Sequence, residues 1–116
     1  MNISHLMLGV SDLERSLSFY RDKLGLTMTR QLAGFAFLDG GGVTLALSKD
    51  IWTHLGKSAG ASQVVFGVPS VKSSYAELRT KGVEFMGEPR NADGTNWVAN
   101  FRDPDGHLLS IFGPES

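Results

Sequence analysis

The stretch HLMLGVSDLERSLSFYRDK, residues 5–23, returns in altered form as QVVFGVPSVKSSYAELRTK at residues 63–81. At this constant offset Gly9 and Val10 meet Gly67 and Val68, Ser16 meets Ser74, Arg21 meets Arg79 and Lys23 meets Lys81. Apolar Leu6, Leu8, Leu13 and Leu17 meet Val64, Phe66, Val71 and Tyr75. Each copy reads as a strand followed by a helix. A short chain carrying two copies of such a unit has few ways to bury both apolar faces, and paired units of this kind commonly build a site where they meet.

Working outward, residues 3–10 predict a strand ended by a turn signal. Ser11, Asp12, Leu13 and Glu14 read as a capping box, with Ser11 accepting from the amide three residues on and Glu14 reaching back. The helix that follows places Leu13, Leu17, Tyr20 and Leu24 on one stripe and stops at Gly25. Strands are predicted at 26–32, 35–38 and 43–47, with Asp39, Gly40, Gly41 and Gly42 as a hairpin turn. Residues 49–61 show no clear period and read as the linker between the halves, with room for a helical turn. Its Trp52 and His54 suit either a lid beside a cleft or an ordinary surface loop.

The second copy predicts a strand at 62–68 and a helix at 71–81, capped by Ser70 and ended by Gly82. A strand at 83–87, a polar loop at 88–96 and a strand at 96–102 follow. Asp103, Pro104, Asp105 and Gly106 form a turn before a last strand at 108–112. The fold class is therefore α+β: two βαβββ modules, 1–48 and 62–116, joined by the linker 49–61 within one domain. One helix should cover one face of each mixed, curved sheet, and the other faces should enclose a cleft.

Composition narrows the function. A net charge of −1 with both signs scattered gives no basic nucleic-acid face and no polybasic membrane segment. No apolar run approaches the roughly 20 residues of a membrane helix, and the opening residues carry no charged-then-apolar leader. With no cysteine, neither disulfides nor thiolate chemistry is available. The expected location is cytoplasmic. Gly40, Gly41 and Gly42 lack the Lys-Ser/Thr and the helix that a phosphate loop requires.

Ile3-Ser4-His5-Leu6, Val10-Ser11-Asp12-Leu13-Glu14-Arg15-Ser16, Phe19-Tyr20-Arg21-Asp22-Lys23-Leu24-Gly25 and Phe101-Arg102-Asp103-Pro104-Asp105-Gly106-His107 together resemble the vicinal oxygen chelate superfamily. That superfamily includes glyoxalase I, extradiol dioxygenases, fosfomycin-resistance proteins and bleomycin-resistance proteins, and the resemblance spans essentially the whole chain. It implies that any divalent metal sits where the modules meet, held by the first and fourth strands of each. Aligned with glyoxalase I, those positions fall on His5, Ala46, Gln63 and Ser110. Glyoxalase I has carboxylates at the second and fourth of these positions. The fosfomycin enzymes need His, His and a carboxylate at the first, third and fourth. This chain keeps only His5, so no cofactor is expected, and a divalent metal is the minority reading.

His5 has three readings: an inward polar residue hydrogen-bonded across the seam, a ligand contact or general base, and a metal ligand. Gln63 and Ser110 read as hydrogen-bonding groups that replace metal ligands. Strand alternation adds Ile3, Met7, Thr44, Ser48, Val65, Leu108 and Phe112 to the same faces. The resemblance to the fosfomycin enzymes adds Asn100 and Phe35 or Phe37, and Trp52 stands at the cleft mouth. Trp97 and Phe101 lie opposite Asn100 and should pack against a helix. This mostly apolar set suits either a small-molecule pocket or plain core and dimer packing.

Three functions follow. The first is a metal-independent binding protein of the bleomycin-resistance type, holding an aromatic or apolar ligand in a homodimer. The second is a lyase, isomerase or dioxygenase of the same superfamily, using a weakly held metal or His5 alone. The third is an interaction module.

Overall fold

Each copy of the repeated stretch opens a sheet. The computed structural model describes residues 3–57, 60 and 62–116. Strands β1 (His5–Gly9), β2 (Met28–Leu32), β3 (Phe35–Asp39) and β4 (Thr44–Ser48) form one sheet in the order β1-β4-β3-β2. Strands β5 (Gln63–Gly67), β6 (Arg90–Asn91), β7 (Asn96–Arg102) and β8 (Leu108–Pro114) form another in the order β5-β8-β7-β6. The two orders are the same, as the echo requires. In each sheet the first strand runs parallel to the fourth, and the remaining pairs are antiparallel. Helices α1 (Leu13–Leu17), α2 (Lys49–Leu55) and α3 (Val71–Thr80) complete the fold. The chain divides into two compact units, 1–59 and 60–116.

In the first unit α1 packs on β3 and β4. Leu17 and Tyr20 from the predicted stripe are fully buried, as are Ala36, Leu38 and Leu47. Leu13 and Leu24 lie half-buried at the margin. Beyond Leu17 the helix widens into a π-helical turn, Ser18–Lys23. The wider turn lets neighbouring Phe19 and Tyr20 both face inward, their rings edge-to-face at 5.3 Å. Gly25, at φ 82°, then ends the helix.

The cap differs from the expected box. The helix starts one residue later, so Asp12 is the cap and its carboxylate accepts from the Arg15 amide at 3.1 Å. Ser11 Oγ accepts from the Arg15 guanidinium at 2.7 Å, and Glu14 accepts from Gln31 at 3.1 Å.

Of the expected linker 49–61, residues 58, 59 and 61 lie outside the described residues. Residues 49–55 are helix α2, which packs on β1 and belongs to the first unit. Ser48 ends β4 and also caps α2, accepting from the Ile51 amide at 3.1 Å. A strand residue that doubles as a cap leaves no polar spacer to announce the helix.

In the second unit α3 packs on β7 and β8, capped by Ser70 as expected. Tyr75 of α3 packs on Phe85, and Phe85 on Phe101, their tilted rings 4.6 and 5.1 Å apart between centres. The expected strand 83–87 is reduced to a single bridge between Phe85 and Phe101, and the short β6 lies inside the expected loop 88–96. Gly87, at φ 153°, and Pro89, which lacks an amide hydrogen, split the pairing.

Candidate functional site

Residues paired across a ladder share a face. In the first unit His5 pairs with Thr44, and Met7 with Ala46. Phe37 also pairs with Ala46, and Phe35 with Ser48. These side chains all lie on the face opposite α1, so both phenylalanines belong there. Ile3 precedes β1 and is 71% exposed. Gly9 is on this face too, and a Cβ on it would stand 3.1 Å from both Ile51 Cγ2 and the Trp52 amide nitrogen. Helix α2, which carries the half-buried Trp52, therefore closes one end of the His5 face, while His54 is exposed. The His5 ring meets Phe37 edge-on at 6.2 Å, and its Nδ1 lies 2.9 Å from Ser4 Oγ.

In the second unit Val65 and Asn100 pair with Ser110 from either side. Gln63 pairs with Leu108, and Gly67 with Phe112. All lie on the face opposite α3, whereas Trp97 and Phe101 lie on the α3 face, as the alternation predicted. Ser110 is fully buried, and its hydroxyl accepts from Gln63 Nε2 and donates to Asn100 Oδ1, the latter at 2.6 Å. A buried hydroxyl satisfied twice by neutral amides carries no desolvation penalty for a missing partner. His107 is buried, and its amide donates to Asp103 Oδ1 at 2.8 Å.

The two units can be compared position by position. By register, Ser110 matches Ala46 and Asn100 matches Phe37; by the repeat, Gln63 matches His5. Imidazole, methyl and phenyl in one unit thus become amide, hydroxyl and amide in the other. The sequence reading missed the match of Phe37 with Asn100. Phe37 and Ala46 are nine positions apart and Asn100 and Ser110 ten, so a fixed offset hides it.

Of the four positions, the two in the first unit offer an imidazole and a methyl group, and the two in the second an amide and a hydroxyl, with no anionic group in either. Among the described residues no group of three or more His, Cys, Asp or Glu is placed to hold a metal. Nor, among them, is any helix long and apolar enough to cross a membrane.

Known proteins resemble this chain throughout its length. A probable lactoylglutathione lyase of Synechocystis sp. is 30% identical, over 100% of this chain and 98% of that protein. The glutathione transferase FosA of Serratia marcescens is 32% identical, over 95% of this chain and 79% of its own. Among solved structures, TnmS3, an antibiotic binding protein from Streptomyces sp. CB03234, shares the fold with a TM-score of 0.82 at 23% identity, covering 98% of this chain and 96% of that one. Residues 2–111 match a single family description, and on that match the chain belongs to the Glyoxalase/Bleomycin resistance protein/Dioxygenase superfamily.

Proposed function

We propose that this chain is a small-molecule-binding protein that works without a metal ion. It holds an aromatic or otherwise apolar ligand against the second unit's sheet face, the one that carries Ser110. The observation that carries the reading is the Gln63–Ser110–Asn100 hydrogen-bonded trio, a neutral network in which Gln63 and Ser110 stand at two of the positions that the resemblance to glyoxalase I gives to ion ligands. The surroundings support it: Val65 and Phe112 share the Ser110 face, and in the first unit Met7, Phe35 and Phe37 give the corresponding face the same apolar character. Val65 is 53% exposed on its face, the kind of uncovered apolar surface that a ligand or partner takes up. The working form is a homodimer in the cytoplasm.

The relatives named as a lyase and a transferase favour a second reading, a metal-dependent lyase, isomerase or dioxygenase, or one with His5 as general base. Thermal-shift screening of planar aromatic compounds, with EDTA and separately with Ni, Zn, Mn and Fe, separates the two. The binding reading expects stabilisation by an aromatic compound that EDTA leaves unchanged. Stabilisation or turnover that requires an added metal overturns it in favour of the enzyme. Sedimentation velocity tests the dimer.

A further inference from the structure

We infer that the ligand presents a neutral amide edge, one carbonyl oxygen and one N–H, to Gln63 and Asn100. This rests on the reading that the Ser110 face is the ligand site. A hydroxyl has one hydrogen to give. Because Ser110 receives from Gln63 and gives to Asn100, the two amides are locked in opposite senses. Gln63 keeps its carbonyl oxygen for a ligand, and Asn100 keeps its NH2 group. Among the described residues neither of these groups has another hydrogen-bond partner.

Turning both amides over reverses the relay but leaves the same offer, one oxygen and one pair of hydrogens. A carboxylate has no hydrogen for the oxygen, and an ammonium has no lone pair for the NH2 group. A lactam, imide or carboxamide has both. The charged side chains on this face do not change the balance. Arg102 donates to the Gly106 carbonyl at 2.8 Å, and Arg90 stands on the edge strand β6, across from Val98. Val65 and Phe112, on the same face, supply apolar contact for the body of such a ligand.

The test uses three probes of one shape: 2-quinolone with both groups, N-methyl-2-quinolone without the N–H, and 2-aminoquinoline, assayed at a pH where its ring nitrogen is protonated so that both edge atoms donate. Titration calorimetry should show 2-quinolone binding about tenfold more tightly than its N-methyl analogue. Gln63 is exposed, so Gln63→Glu should fold normally. A carboxylate there has nothing to donate to Ser110, so the relay reverses and the Asn100 carbonyl turns outward. Both ends then accept, and the preference should move to 2-aminoquinoline. Equal affinity of 2-quinolone and its N-methyl analogue, or no change of preference in Gln63→Glu, overturns the amide-edge inference and leaves the ligand face standing. Failure of all three probes to bind overturns the ligand face itself.

Discussion

Phe37 and Asn100 hold the same position in two copies of one sheet: each lies directly across from the fourth-strand residue, Ala46 in the first copy and Ser110 in the second. The backbone has been repeated while the chemistry at this point has been exchanged. One copy sets a phenyl ring against an imidazole edge, and the other links two amides through a hydroxyl.

That exchange is measurable as coupling. Ser110→Ala and Asn100→Ala should each lower stability by about 1 kcal/mol, and the double variant should fall short of their sum by about 1 kcal/mol. Urea unfolding of the four proteins gives the cycle. In the first unit, Ala46→Ser buries a hydroxyl beside Phe37 rather than an amide and should cost about 1–3 kcal/mol. A neutral result there would mean that another acceptor lies within reach.

Gly113 and Gly25 should respond differently to a methyl group. A Cβ on Gly113 would overlap the Val68 carbonyl oxygen, whereas one on Gly25 meets nothing within 4 Å. Gly113→Ala should therefore cost about 3 kcal/mol through forced backbone movement. Gly25→Ala should cost only the left-handed conformation, about 1–2 kcal/mol. Thermal melts of the two variants rank them directly.

The corrected helix start carries its own test. Asp12→Ala removes the acceptor of the Arg15 amide and should cost about 1 kcal/mol. Ser70→Ala should cost a similar amount, because Ser70 accepts from the Ser73 amide at 3.1 Å. Guanidinium unfolding checks both.

Asp93 should contribute to the acid side of the stability profile. The Asn96 amide, then the Thr95 amide and the Asn96 side chain, donate to its carboxylate and hold it below the usual aspartate range. A folded-state pKa below the unfolded one stabilises the fold above the unfolded pKa and is lost as pH falls through the folded one. Asp93→Asn should thus be the less stable protein at pH 7, and its deficit should shrink as the pH falls through the aspartate range. Denaturant midpoints at pH 7 and at pH 3 measure the change.

Much of this architecture was readable in advance because the echo sets strand, helix and order together. Leu17 and Tyr20 point inward as their spacing requires, and Trp97 takes the α3 face as alternation requires. The exceptions have local causes. Ser48 serves two elements at once, so α2 gave no separate signal. Gly87 and Pro89 interrupt a pattern that otherwise reads as one strand. At the site, Gln63 and Ser110 were readable singly as hydrogen-bonding groups. Their relay to Asn100 depends on the β7–β8 register, which a hairpin of different length conceals.

The parallel pairing of β1 with β4, and of β5 with β8, has a consequence for how the chain comes together. His5 emerges early in synthesis yet finds Thr44 only after both intervening antiparallel pairs can close, and Gln63 waits in the same way for Leu108. Local hairpins assemble quickly, whereas distant partners pay the entropy of a long loop first. Each leading strand should thus be the last to dock. A nascent chain halted before residue 44 would hold its first strand without a neighbour, an opening that a chaperone, or the matching strand of another copy, would fill.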